Sequence, residues 1–187
     1  MTARGGLLRS SIPNQITVAR LASVPLLMFL ILWDSQPGRI AGVVLFFVAA
    51  LSDAVDGYLA RSLEQTSVFG KFADPIADKL LVVSALVCLV QLGELHAAPV
   101  MLIIAREFLV TGLRILAMSK GQVISASVLG KLKTVFHVGL VLSILVDRSF
   151  AVGVWIDITR DAALVCALVL TVASGIEYFV RSRRVFA

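Results

Sequence analysis

Long apolar stretches alternate with short polar breaks along this chain. Six apolar runs stand out, at Ile16–Trp33, Ile40–Arg61, Phe72–Leu92, Ala98–Met118, Val128–Val146 and Ala162–Val180. Each is close to the ~20 residues an α-helix needs to cross a hydrocarbon core. The breaks carry matching chemistry. Asp34-Ser-Gln-Pro-Gly38 closes the first run, where Pro and Gly interrupt a helix; Gly93-Glu94 closes the third and Asp147-Arg148 the fifth. Pro13 and Pro75 stand where Pro favours a helix start. The pattern predicts an all-α integral membrane protein. Six transmembrane helices would surround a polar cavity, forming one domain over residues 1–187 with a short N-terminal surface segment.

Composition agrees. Of 187 residues, 59% are hydrophobic and 16% charged, against roughly half and a quarter in soluble domains. Mean hydropathy is +0.97. The net charge of +5 would suggest nucleic acid in a soluble protein. Here the basic residues cluster at the ends of apolar runs, where membrane topology and anionic head groups account for them, so no nucleic-acid partner is expected. Cys88 and Cys166 lie inside apolar segments and read as small buried hydrophobes. The first dozen residues lack the order of a cleaved signal peptide. Trp33 and Trp155 flank spans and read as interfacial anchors.

Orientation follows from lysine and arginine placement. With both termini cytoplasmic, the inside segments hold Arg4, Arg9, Arg61, Lys71, Lys120, Lys131, Lys133, Arg181, Arg183 and Arg184, and the outside loops hold Arg39, Arg148 and Arg160. That is the expected positive-inside bias. Arg20, Lys79, Arg106, Arg114, Asp53, Asp56, Asp74, Asp78 and Glu107 remain in or near the spans. Charges at that depth are costly and mark function or a wet cavity. Nearly all lie toward the cytoplasmic helix ends, so one cavity opening inward would accommodate them.

The most informative stretch is Asp53-Ala-Val-Asp56-Gly57-Tyr-Leu-Ala60-Arg61, followed after eight residues by Gly70-Lys-Phe-Ala-Asp74-Pro-Ile-Ala-Asp78. Asp53 and Asp56 are three apart and share a helix face; Asp74 and Asp78 are four apart and share a face of the next helix. An antiparallel pair would gather four carboxylates. Such a group takes up protons or binds cations, and hard oxygen donors suit Mg²⁺, Mn²⁺ or Ca²⁺. Two such ions would clamp a diphosphate. Gly57 and Ala60 let a bulky ligand approach the backbone, and Arg61 is placed to meet a phosphate. The competing reading, helix-end aspartates paired with Arg61, Lys71 and Lys79, leaves the small residues on that face unexplained.

The string matches D-x2-D-G-x2-A-R-x8-G-x3-D-x3-D at every fixed position, and so resembles the CDP-alcohol phosphatidyltransferase family. The resemblance implies six transmembrane helices, usually in a homodimer, with the motif on the second and third. It implies that Asp53, Asp56 and Asp74 hold two divalent cations, Mg²⁺ or Mn²⁺, with Ca²⁺ able to occupy the site without supporting turnover. Asp78 would be the general base and a further metal ligand, and Gly57, Ala60, Arg61 and Gly70 would line the CDP pocket.

The acceptor must be recognised elsewhere. Arg106 and Arg114 lie about two turns apart on one run; Lys131 and Lys133 open another. Cations converging on one cavity point to a phosphorylated acceptor. Against this stand snorkelling lysines and an Arg106–Glu107 or Arg114 structural pair. Thr17 and Arg20, three apart on the first run, are expected in the same cavity, Thr17 on the donor side and Arg20 on the acceptor side. His137 reads as a packed or lipid-interface residue. His96 falls in an outside loop.

Four segments extend the resemblance over most of the chain: Ile12–Arg20, Phe72–Lys79, Ile104–Arg114 and Ala126–Thr134. They are similar to the bacterial phosphatidylglycerophosphate synthases, a subfamily. This implies CDP-diacylglycerol and sn-glycerol 3-phosphate as substrates, in a bacterial cytoplasmic membrane with the active site facing inward. Other acceptors in the same family are inositol phosphate, serine and phosphatidylglycerol. A divalent-cation transporter is the alternative from another class, but transporters place their sites near the midplane, whereas these aspartates sit toward one face. A membrane scaffold leaves the costly charges unexplained.

Overall fold

The structure is a computed structural model describing residues 12–59, 68–120, 127–150 and 154–186, with side chains described for 19–52, 79–120, 127–150 and 158–183. Six α-helices follow one another: α1 (Ile12–Leu32), α2 (Gln36–Leu59), α3 (Val68–Gln91), α4 (Ala97–Ser119), α5 (Val128–Phe150) and α6 (Val154–Phe186). No strand occurs among the described residues.

The helices outrun the apolar stretches that predict them. α2 starts at Gln36 rather than Ile40 because Ser35 caps it, its Oγ accepting from the Gly38 N–H at 3.2 Å. Pro37 then sits in the first turn, where its missing N–H costs nothing. The Asp34–Gly38 break is therefore shorter than its Pro and Gly suggest. Pro75 lies more than a turn inside α3, which begins at Val68, so it does not mark that helix's start. α6 is 33 residues long and begins well before Ala162; its first turns carry Asp157, Arg160 and Asp161, which hydropathy does not flag. Hydropathy reports the apolar length of a helix, while caps and backbone hydrogen bonds set its ends.

One end of the bundle is tied by residues at three connections, α1–α2, α3–α4 and α5–α6. The Gln36 amide donates to the Ser149 carbonyl and Arg39 Nη1 to the Arg148 carbonyl at 3.0 Å. These carbonyls are among the last of α5, which have no partner within their own helix. Arg148 Nη1 bonds Glu94 at 2.7 Å, and Arg39 also pairs with Asp34. That hydrogen bond, then Arg39's charge, holds the exposed Asp34 carboxyl below its usual value. The starts of α2 and α4 and the ends of α1, α3 and α5 thus meet at one end, so α2 and α3 run antiparallel. The end of α2 and the start of α3 lie at the other. α1 packs against α3 and α2, α5 against α6 and α2, and α4 against α6 and α3.

The interior divides along the bundle axis. Leu27, Ile31, Phe46, Leu86, Leu89, Ile103, Leu140 and Ile144 belong to a fully apolar core. The buried stripe of α5 begins with Lys133 and His137 before turning apolar at Leu140. On α6, Thr171, Ser174, Tyr178 and Ser182 are buried at helical spacing. Outside, the pattern inverts: Phe29, Val44, Phe47, Leu51, Met101, Phe108, Val135, Val169 and Ile176 are all exposed. A soluble monomer does not expose apolar surface on this scale. α5 and the Ile158–Arg183 stretch of α6 are each long and apolar enough to cross a membrane. α4 carries Arg106, Glu107 and Arg114 within its span. The chain is a membrane protein in which charged and hydroxyl side chains of α4, α5 and α6 are buried.

Candidate active site

The motif falls on helical backbone. Asp53, Asp56 and Gly57 lie in the last turns of α2, and Gly70, Asp74 and Asp78 in the first turns of α3. The three- and four-residue spacings therefore have the periodicity they require. The side chains of these residues, and Ala60 and Arg61 altogether, lie outside the described residues, as does the side chain of Thr17 on α1. Among the described residues no group of three His, Cys, Asp or Glu is placed to hold a metal.

What the structure does describe is a buried polar cluster on α4, α5 and α6. Glu107 is 8% exposed and Lys133 4%, values that only paired charges normally reach. Glu107 Oε1 accepts from Arg106 Nη1 at 3.2 Å and from Lys133 Nζ. Arg106 Nη2 donates to Ser174 Oγ at 2.9 Å, and its guanidinium lies 5.6 Å from the Tyr178 ring centroid, within cation–π range. His137 Nε2 meets Thr171 Oγ1 at 3.1 Å. α6 lies directly against the arginine stem at Gly175, where a Cβ would stand 3.4 Å from Arg106 Cγ, at ordinary contact distance.

The start of α5 is fixed to the same cluster. Ser127 Oγ accepts from the Gly130 N–H at 3.0 Å, capping the helix. The Tyr178 hydroxyl accepts from the Ser127 N–H at 3.3 Å. Arg106 and Ser127 thus share Tyr178, and the register of α5 against α6 sets where Lys133 reaches.

Of the predicted acceptor residues, the structure brings together Arg106 and Lys133. Lys133 is not the snorkelling interfacial lysine that one reading allowed, because its ammonium is buried on Glu107. Arg106 does pair with Glu107, as the structural alternative held, but its Nε is buried with no hydrogen-bond partner. Arg114 continues the buried stripe of α4 toward the motif end and is half-buried; Lys131 is exposed. Arg20 is half-buried on α1. Lys79, next to Asp78 in the chain, is half-buried at the motif end of α3. Ser127, Thr171, Ser174 and Tyr178 escaped sequence reasoning. The signal was the helical spacing of Thr171, Ser174, Tyr178 and Ser182 along an otherwise apolar run.

The family profile for CDP-alcohol phosphatidyltransferase matches residues 10–174. The chain belongs to this family. It is 41% identical over 181 residues to the CDP-diacylglycerol–glycerol-3-phosphate 3-phosphatidyltransferase of Bacillus subtilis strain 168, covering 90% of this chain and 93% of that one. The Rickettsia bellii protein of the same name is 38% identical, covering 94% of this chain and 97% of its own. A probable phosphatidylglycerophosphate synthase of Mycobacterium tuberculosis H37Rv is 34% identical, with 94% and 83% covered.

Proposed function

We infer that this chain transfers the phosphatidyl group of CDP-diacylglycerol to sn-glycerol 3-phosphate, yielding phosphatidylglycerol phosphate and CMP. The observation that carries the reading is near full-length similarity to relatives named for that reaction, joined to an unbroken aspartate motif. The buried cations support a phosphorylated acceptor. Among the described residues, Arg106 and Lys133 against Glu107 leave the cluster with one unbalanced positive charge, and Arg106 keeps an unused buried donor. An anion relieves both.

The motif's four carboxylates fit divalent cations by donor chemistry, being hard oxygens on two antiparallel helices. Asp53, Asp56, Asp74 and Asp78 would hold two Mg²⁺ or Mn²⁺ ions, which when bound neutralise the diphosphate and the charge on departing CMP. Asp78 takes the proton of the acceptor hydroxyl as its oxygen attacks the β-phosphorus. Gly57, Ala60, Arg61, Gly70 and Thr17 receive the CDP-lipid. Arg106, Arg114, Lys131, Lys133 and Arg20 supply positive charge for the acceptor phosphate. Exposed apolar faces keep the acyl chains in lipid while the head group reaches the polar half.

The proposed setting is the bacterial cytoplasmic membrane, crossed several times by a homodimer, with the motif end and both termini inside. Arg39, Arg148 and Arg160 belong to the opposite end, in keeping with the positive-inside rule.

The test is CMP release by purified protein in detergent with CDP-diacylglycerol. Release requires glycerol 3-phosphate, stops on chelation, and returns with Mg²⁺ or Mn²⁺. Turnover only with inositol phosphate, serine or phosphatidylglycerol would replace the acceptor. No turnover with any of them, from folded protein, would return the transporter reading.

A further inference from the structure

Glu107 has no part in the reaction as set out above, yet it is the centre of the buried cluster. Its Oε1 receives both Arg106 Nη1 and Lys133 Nζ. Two cations of different helices are drawn to one oxygen, where their mutual repulsion would otherwise part them. Among the described residues, the cluster's other contacts to these two cations fall on the arginine: Ser174 takes Nη2, and the Tyr178 ring lies against the guanidinium. Lys133 is a flexible stem with three donors on its head, and among the described residues its hydrogen bond is to Glu107.

The cluster is poorly accounted for as a device for stability. A buried ion pair is commonly no more stable than well-packed apolar side chains of similar volume, and the core at the other end of the bundle is built from such side chains. Among the described residues the cluster is also incomplete, with one more positive than negative charge and the Arg106 Nε unpartnered.

We propose that Glu107 is a positioning residue for the acceptor. It holds Lys133 and Arg106 at the separation and orientation in which they receive the acceptor's phosphate, and touches neither substrate itself. This rests on the reading of Arg106 and Lys133 as acceptor-phosphate ligands. Glu107 fixes the lysine head before the phosphate arrives, so binding orders less of the site. Supporting groups of this kind hold a site's ligands in place elsewhere.

The experiment measures KM for glycerol 3-phosphate and for CDP-diacylglycerol separately. Glu107→Gln raises the acceptor KM by about 10-fold and leaves the donor KM within about twofold. Glu107→Asp recovers part of the loss. In a Lys133→Met background, adding Glu107→Gln raises the acceptor KM by less than about twofold, because its effect passes through the lysine. An unchanged acceptor KM in Glu107→Gln, with Lys133→Met raising it, overturns the positioning role and leaves the phosphate site standing. Unchanged acceptor KM in both Lys133→Met and Arg106→Lys sinks the phosphate reading itself, and the proposal with it. Should Glu107→Gln not fold, Glu107→Asp and the Lys133→Met pair decide. A raised acceptor KM in Glu107→Asp supports the role if adding Glu107→Asp to Lys133→Met changes nothing. Glu107→Asp with the wild-type acceptor KM overturns it.

Discussion

At the scale of single residues, position along the bundle separates charges that look alike in sequence. Lys131 and Lys133 sit two apart at the start of α5, yet one is exposed and the other buried on Glu107. Two positions on a helix are about 200° apart, so neighbours of this kind face opposite ways. Asp78 carries the sharpest prediction. If it takes the acceptor proton, Asp78→Asn lowers kcat by about 10²- to 10⁴-fold, while the folded yield in detergent stays near wild type. Activity above a tenth of wild type would remove Asp78 as the base. Glu107 was visible in the sequence only as a possible partner of Arg106. That it also takes Lys133, on a different helix, is decided by how α4 and α5 pack.

At the scale of elements, helix ends and helix register carry what hydropathy misses. Ser127 caps α5 through its hydroxyl and receives Tyr178 through its backbone. Ser127→Ala therefore lowers unfolding free energy by about 1 kcal/mol, read as a shift in denaturation midpoint in detergent. A larger part of the loss should appear as raised KM for glycerol 3-phosphate, because Lys133 lies on the turn that follows. An unchanged midpoint would mean that the cap contributes nothing there. Gly130 is tightly placed in the same turn: a Cβ would stand 3.3 Å from Ser127 Oγ and 3.5 Å from the Tyr178 ring. The caps at Ser35 and Ser127 are short local patterns, readable from sequence once the helix register is known.

At the scale of the whole molecule, the dry and polar halves explain how a chain this apolar buries six-helix packing and a charged cluster together. Leu, Ile and Phe fill the half near Arg39 and Arg148, while charged and hydroxyl side chains gather toward the half that carries the motif. Alternating helix direction follows from the ties among Gln36, Arg39, Glu94, Arg148 and Ser149, and predicts a labelling result. His96→Cys, in the loop before α4, reacts with a membrane-impermeant maleimide on intact cells. Lys120→Cys, after α4, reacts only once the membrane is opened. Reversed reactivity would invert the proposed orientation, and labelling of both from one side would contradict the alternating path.

The sequence by itself determined the all-helical membrane class, the number of helices described, the aspartate motif and the family. These depend on composition, local periodicity and fixed spacing, which are properties of neighbouring residues. It also set Arg106 and Arg114 apart as charges at an unlikely depth, and Lys131 and Lys133 as cations opening the fifth run. Only the tertiary structure decided that Arg106 and Lys133 converge on Glu107, that Tyr178 and Ser174 complete their surroundings, and that α2 and α3 run antiparallel. Those contacts join residues far apart in the chain, and their geometry depends on the rotation and register of packed helices. A side chain's spacing tells which face of its own helix it shares; which neighbour meets that face is settled when the helices pack.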